Sequence, residues 1–231
     1  MIVNVSRETF GGAIRNGDLI AVANIVEHLR KNIPGLKFYF TPGTLFEADY
    51  VHKMHQFFLD HTDYFSLGTG TADLPWKRVN IWDFRDVAGD VVKIPNNQQK
   101  QKKIVVCPVF DAKYNTYRNW PMDVFEKILN ECDQAQGYEK VILQSDNTRY
   151  RDGWIHSSDF NDNLIHIMQA EIYVGGDTGL SHFAGALEHG PQPVYYTSSR
   201  GLLHTTPFYW YTHKKGTMKT YWLDFERTEW Q

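Results

Sequence analysis

The stretch from Glu171 to Leu187, EIYVGGDTGLSHFAGAL, concentrates residue types that can hold an anion. Ile172, Tyr173 and Val174 form a β-branched and aromatic run of the kind that makes a buried strand. Gly175 and Gly176 break that run, and Asp177 and Thr178 stand just ahead of an apolar helical pattern set by Phe183, Ala184, Ala186 and Leu187. A strand, a glycine turn and a helix start leave backbone N–H groups unpaired at the positive end of a helix dipole. A diphosphate is the natural guest. The same residues admit a plainer role, with Asp177 an N-cap, Thr178 a second capping hydroxyl and His182 a polar helix residue.

Other chemistry-bearing residues are weaker signals. Asp18 follows Gly17 at a predicted helix start, where a carboxylate is favourable for the dipole alone. His52, His55 and His61 fall near one another, but no third ligand at a familiar spacing supports a metal site, and a solvated helix face is the simpler reading. Gly68-Thr69-Gly70 lacks the third glycine and following helix of a dinucleotide fingerprint. No Asp-x-Asp pair offers a metal-bound diphosphate site.

These residues need a scaffold, and the chain supplies a βα rhythm. Residues 1–6 alternate as a strand, Asp18 opens a helix with Leu19, Ala23, Val26 and Leu29 at helical spacing, and Pro34-Gly35 stops it. Leu36 to Phe40 is the next strand, completing a βαβ unit of a parallel, helix-covered sheet. A helix over residues 45–59 and short strands over 64–67 and 79–84 follow. Residues 94–103, IPNNQQKQKK, read as an exposed, lysine-rich linker. The rhythm then restarts: a strand over 104–108, a helix from Trp120-Pro121 through Leu129, a strand over 141–144, a helix over 159–169 and a strand over 192–197. Ser198, Ser199 and Arg200 end that last strand, on the edge where open α/β sheets bind ligands. The aromatic, lysine-bearing tail over 208–231 resembles no known segment, and its aromatics would suit packing back on the first domain.

Composition bounds the class. The 231 residues are 42% hydrophobic, 22% charged and 15% aromatic, the balance of a globular protein with material for one large domain or two small ones. A formal net charge of −3 gives no global pull toward nucleic acid. Cys107 and Cys132 offer neither a disulfide framework nor a C-x-x-C zinc motif, and Cys107 sits in an apolar strand pattern as a buried small hydrophobe. MIVNVSRETFGG lacks the apolar core of a signal peptide, and no run approaches the ~20 apolar residues that span a bilayer. A soluble, cytoplasmic protein is expected.

Three segments together carry a resemblance. GGDTGLSHFAGAL resembles the Asp-Thr-Gly-x-x-His signature of the heptosyltransferase-like glycosyltransferases (glycosyltransferase family nine), matched here by Asp177, Thr178, Gly179 and His182. NGDLIAVANIVEHLRKNIPGLKFYF is similar to that family's N-terminal block, with Gly17 and Asp18 in the matching places. Cys107-Pro108 followed by Arg118-Asn119-Trp120-Pro121 resembles a third landmark, in which a basic residue precedes Trp-Pro.

The resemblance implies an α/β protein of two Rossmann-like domains facing a cleft, the GT-B architecture, with an acceptor-side domain over residues 1–95 and a donor-binding domain over 104–231. It implies an inverting transfer of a sugar from a nucleotide-diphosphate donor to an acceptor hydroxyl, with no cofactor. Asp18 would be the base. Gly176, Asp177, Thr178, Gly179 and His182, with Arg118 or its neighbour Lys113, would hold the diphosphate. The chain is shorter than typical members, chiefly in the acceptor-side domain, so the acceptor stays open between a saccharide and a hydroxymethylated base in DNA, as in phage enzymes. The linker lysines and Lys214, Lys215 and Lys219 speak mildly for DNA, and the net charge against it. A non-catalytic nucleotide-sugar binder is the reading from another class, which the presence of Asp18 disfavours.

Overall fold

The computed structural model describes residues 1–5, 14–40, 49–66, 74–75, 92–108, 119–143, 149–176, 178–198 and 219–223. The described residues divide between Pro95 and Asn96 into two compact units. Each is built on a wholly parallel sheet.

In the first unit the order is β1 (Ile2–Val5), α1 (Asn16–Leu29), β2 (Lys37–Phe40), α2 (Asp49–His61), β3 (Phe65–Ser66) and β4 (Leu74–Pro75). The strands lie in the order β3-β2-β1-β4, with β1 paired to β2 from Ile2↔Lys37 to Val5↔Phe40. Leu19, Ile20, Val22, Ala23, Ile25 and Val26 bury nearly a full turn of surface on α1, as a helix covering a parallel sheet requires. Gly35, at φ +70, makes the turn that stops the chain after α1 and returns it to β2. Arg30 fastens this corner by donating from Nε to Leu36 O at 2.8 Å and from its other nitrogens to Asp63 Oδ1 and Asp63 O, each at 2.7 Å.

The second unit contains β5 (Gln101–Cys107), α3 (Met122–Asp133), β6 (Glu139–Leu143), β7 (Ile155–Ser157), α4 (Phe160–Gln169), β8 (Ala170–Gly175), α5 (Gly179–Ala186), β9 (Gln192–Ser198) and β10 (Lys219–Leu223). Among the described residues its six strands run β7-β6-β5-β8-β9-β10, all parallel. Counted within the unit this is the order 3-2-1-4-5-6 of a dinucleotide-type doubly wound sheet. On one face Ile104, Val106, Ile142 and Val174 pack with Trp120, Phe125, Ile128, Leu129 and Trp154. Asp159 caps α4, its Oδ1 accepting from Asn161 N and Asp162 N.

Three expectations are corrected. The lysine-rich segment is no solvated tether, because Gln101 to Lys103 already belong to β5. Lys103 is 3% exposed and its Nζ donates to Gln169 Oε1 at 2.9 Å and pairs with Glu139 at 3.0 Å. Lys100 Nζ donates to Met168 O and Ala170 O, binding the last carbonyls of α4 as a cation at a helix C-terminus should. Burial holds its pKa down to about 8. Helix α1 begins at Asn16, two residues before the predicted start, so Asp18 stands at its third position. His55 is not on a solvated face, since its ring lies 5.1 Å from Phe40 and 5.6 Å from Phe65, and burial, aided by His52, holds its pKa down to about 4. Strands β4, β7 and β10 went unanticipated. The predicted strand over 79–84, Gly68-Thr69-Gly70, Ser199, Arg200, Lys214 and Lys215 lie outside the described residues.

Candidate functional site

The second sheet turns its winding between β5 and β8: the chain leaves β5 toward β6 and leaves β8 toward β9. Open α/β sheets bind ligands at such a switch point, outside the carboxyl ends of the strands. Cys107 and Gly175 are register partners there, the last residues of their strands. The segment singled out in the sequence, Gly176 to His182, leaves from this point.

Its local structure follows from the residue types. A Cβ on Gly175 would fall 2.6 Å from Tyr173 Cε1, 2.7 Å from the Tyr173 hydroxyl and 2.8 Å from Ser181 Oγ, so only glycine fits. Thr178 N donates to Gly176 O at 3.1 Å and closes the turn. Thr178 then serves as the N-cap of α5, with φ −132° and ψ 162°, and its Oγ1 accepts from Ser181 N at 3.1 Å. The capping role left open between Asp177 and Thr178 thus falls to the threonine. The first-turn N–H groups of Gly179 and Leu180 have no acceptor within the helix, which is the anion-binding property of a helix start.

Sequence reasoning missed the residue that holds this turn together. Ser181 is fully buried. Its Oγ donates to Gly176 O at 2.5 Å and lies 3.0 Å from the Tyr173 hydroxyl and 3.1 Å from Thr178 Oγ1. Tyr195 OH donates to Ser181 O at 3.0 Å, and Cys107 Sγ lies 3.9 Å from Thr178 Oγ1. Burial pushes the Cys107 thiol up to about 11 and the Tyr173 and Tyr195 hydroxyls above their ordinary range, so the cluster is neutral. Among the described residues this cluster adds no charge, and the helix start contributes the partial positive charge of its backbone dipoles. The signal was present in the sequence as a serine between small and apolar residues on a helix with no polar face.

The third landmark returns to the same sheet edge. Trp120 is buried, and its backbone N–H donates to Pro108 O at 3.3 Å, just beyond the end of β5. Its Nε1 donates to Tyr196 O at 3.1 Å, while Arg149 Nη2 donates to Trp120 O at 3.0 Å. These bonds tie Trp120 to the residue that follows β5 and to β9. Lys113, Arg118 and Asp177 lie outside the described residues. Gly176 and His182 are both buried at the turn and in the first turn of α5.

In the first unit Gly17 and Asp18 occupy the first turn of α1, the helix that crosses from β1 to β2 and so starts on the carboxyl side of that sheet. Asp18 is half-buried and its Oδ2 accepts from Arg15 N at 2.9 Å, the reciprocal half of a capping box. Among the described residues no group of three or more His, Cys, Asp or Glu side chains could hold a metal ion. No helix among them is long and apolar enough to cross a membrane.

No protein-family profile matches the chain, and no curated protein shows significant similarity to it. Solved structures do. The chain is similar to the E. coli heptosyltransferase WaaC with ADP, with a TM-score of 0.53 and 11% identity, over 96% of this chain and 91% of that one. The fold is the heptosyltransferase fold. E. coli ADP-heptose lps heptosyltransferase II aligns at a TM-score of 0.49 and 11% identity, over 96% of this chain and 90% of that one. The α/β class with parallel, helix-covered sheets expected from the three motifs agrees with this likeness.

Proposed function

We propose that this protein is an inverting glycosyltransferase that moves a sugar from a nucleotide-diphosphate donor to an acceptor hydroxyl. One observation carries the reading: a glycine turn and capped helix start, built on Gly176, Thr178 and Gly179, stand at the switch point of a 3-2-1-4-5-6 parallel sheet. The ADP in the WaaC structure, on a protein of the same fold, supports a nucleotide at this edge.

In this reading residues 1–95 form the acceptor-side domain and residues 104–231 the donor-binding domain. The donor's diphosphate lies against the N–H groups that begin α5, with Asp177 shaping the turn and His182 in its wall. Arg118 or Lys113 neutralises the charge that grows as the nucleoside diphosphate leaves. Asp18 takes the proton from the attacking hydroxyl. The anomeric C–O bond to the diphosphate breaks as the acceptor's C–O bond forms on the opposite face. Incubating the protein with ADP-, UDP- and GDP-sugars and an acceptor panel of saccharides and DNA with hydroxymethylated bases tests it. The reading expects release of one nucleoside diphosphate per inverted glycoside formed.

A second reading has one observation in its favour. The Asp18 carboxylate already holds the Arg15 N–H, as a purely structural residue would. A nucleotide-sugar binder without catalysis would bind the same donors and release no nucleoside diphosphate with any acceptor.

A further inference from the structure

The carbonyl oxygen of Gly176, at the turn between β8 and α5, has two donors. Thr178 N reaches it at 3.1 Å, and Ser181 Oγ donates to it at 2.5 Å. The first is the bent bond of a three-residue turn. The second comes from a side chain with no exposed surface, so the carbonyl faces the buried cluster rather than solvent. A serine hydroxyl has one proton to give. With that proton on Gly176 O, the Tyr173 hydroxyl at 3.0 Å and the Thr178 hydroxyl at 3.1 Å meet Ser181 Oγ only as donors. The hydroxyls therefore converge on one acceptor, and each bond polarises the next. The carbonyl needs such a hold. Gly175 and Gly176 are consecutive glycines, whose wide φ/ψ range lets the peptide rotate at little steric cost.

We propose that Ser181 is a positioning residue for the donor: its hydroxyl holds the Gly176 carbonyl inward, so that the turn meets the diphosphate with N–H groups and no carbonyl oxygen. The role rests on the glycosyltransferase reading of this site. Ser181 is fully enclosed and acts through the Gly176 carbonyl, without touching the ligand. A carbonyl oxygen is the negative end of its peptide, and turned outward it would oppose a phosphate at close range. An uncharged nucleoside would hardly feel the difference. The serine therefore bears on the share of affinity that the phosphates contribute, and on that share alone.

The test is the ratio of affinities for a nucleoside diphosphate and for its nucleoside, measured on the full chain well below its melting temperature. Calorimetry serves for ADP, UDP and GDP, and saturation-transfer NMR for adenosine, uridine and guanosine. The proteins are wild type, Ser181→Ala and Ser181→Cys. Ser181→Ala leaves Gly176 O only the bond from Thr178 N. It should weaken diphosphate binding roughly tenfold while nucleoside binding stays within about twofold. Ser181→Cys keeps a weak S–H donor in nearly the same volume and should lose less. If Ser181→Ala does not fold, the ratio in Ser181→Cys decides. A merely structural serine would lower the melting temperature and leave the ratio alone, or weaken both ligands alike. Either result in a folded variant overturns the proposal. A wild type that binds diphosphates no better than nucleosides would remove the donor site itself, and the positioning role with it.

Discussion

Asp18 holds the Arg15 N–H through Oδ2 at 2.9 Å, so a proton taken from an acceptor has to leave that bond in place. Asn at this position still accepts from the backbone but cannot take a proton at neutral pH. Asp18→Asn should therefore lower turnover by about 10²–10⁴-fold with donor affinity and melting temperature nearly unchanged. Full activity in that variant would reduce Asp18 to a cap. Ser181 has the opposite profile. Ser181→Ala strips the Gly176 carbonyl of its donor and the Tyr173 and Thr178 hydroxyls of a partner, and should cost about 1–3 kcal/mol in urea unfolding. A smaller loss would show that the turn holds without it. His55 makes a pH prediction. Its folded pKa lies near 4, below the 6.5 of the free side chain, so the unfolded chain takes up the proton first on acidification. Stability is complete above about pH 6.5 and declines as pH falls toward about 4. Urea midpoints for His55→Phe should show less of that decline between about pH 7 and pH 5, and an unaltered decline would assign it to other groups.

At the scale of the element, the junction of β8 and α5 leaves no room for a side chain at Gly175. Gly175→Ala would press a methyl group on the Tyr173 ring and Ser181 Oγ, inside a strand end already packed on β5. We expect a loss of about 1–3 kcal/mol, the usual scale of overpacking, read as a lower urea midpoint. An unchanged midpoint would mean that the strand end yields. These elements were also where sequence reading succeeded and failed for physical reasons. Strands β5, β6, β8 and β9 have apolar centres, so their composition announced them, and α4 announced itself through Asp159. Strand β7 spans only Ile155 to Ser157, too short for a period to show. Lys100 and Lys103 looked solvent-bound because composition cannot reveal that carbonyls at the end of α4 wait for the first and the Gln169 and Glu139 side chains for the second. Asp18 and the α5 start were legible because capping chemistry is local. Ser181 and Tyr195 were not, because their roles arise only when distant segments pack.

For the molecule as a whole, two wholly parallel sheets and the heptosyltransferase fold set the expectation of a donor site in the second unit. In the proposed reading that site holds the diphosphate through the backbone N–H groups at Gly179 and Leu180, positioned by a neutral, buried hydroxyl cluster, with Arg118 or Lys113 as the cation. It should therefore recognise the diphosphate more than the base or sugar attached to it. The most direct measurement is the melting temperature of the full chain with ADP, UDP and GDP, beside Thr178→Ala in the same buffers. The account predicts a rise with at least one of them, equivalent to about 2.7 kcal/mol at a hundred times its dissociation constant. It predicts a smaller rise in Thr178→Ala, which loses the α5 cap worth about 1 kcal/mol and loosens the N–H groups that face the ligand. No shift with any nucleoside diphosphate, or equal shifts in both proteins, would contradict it.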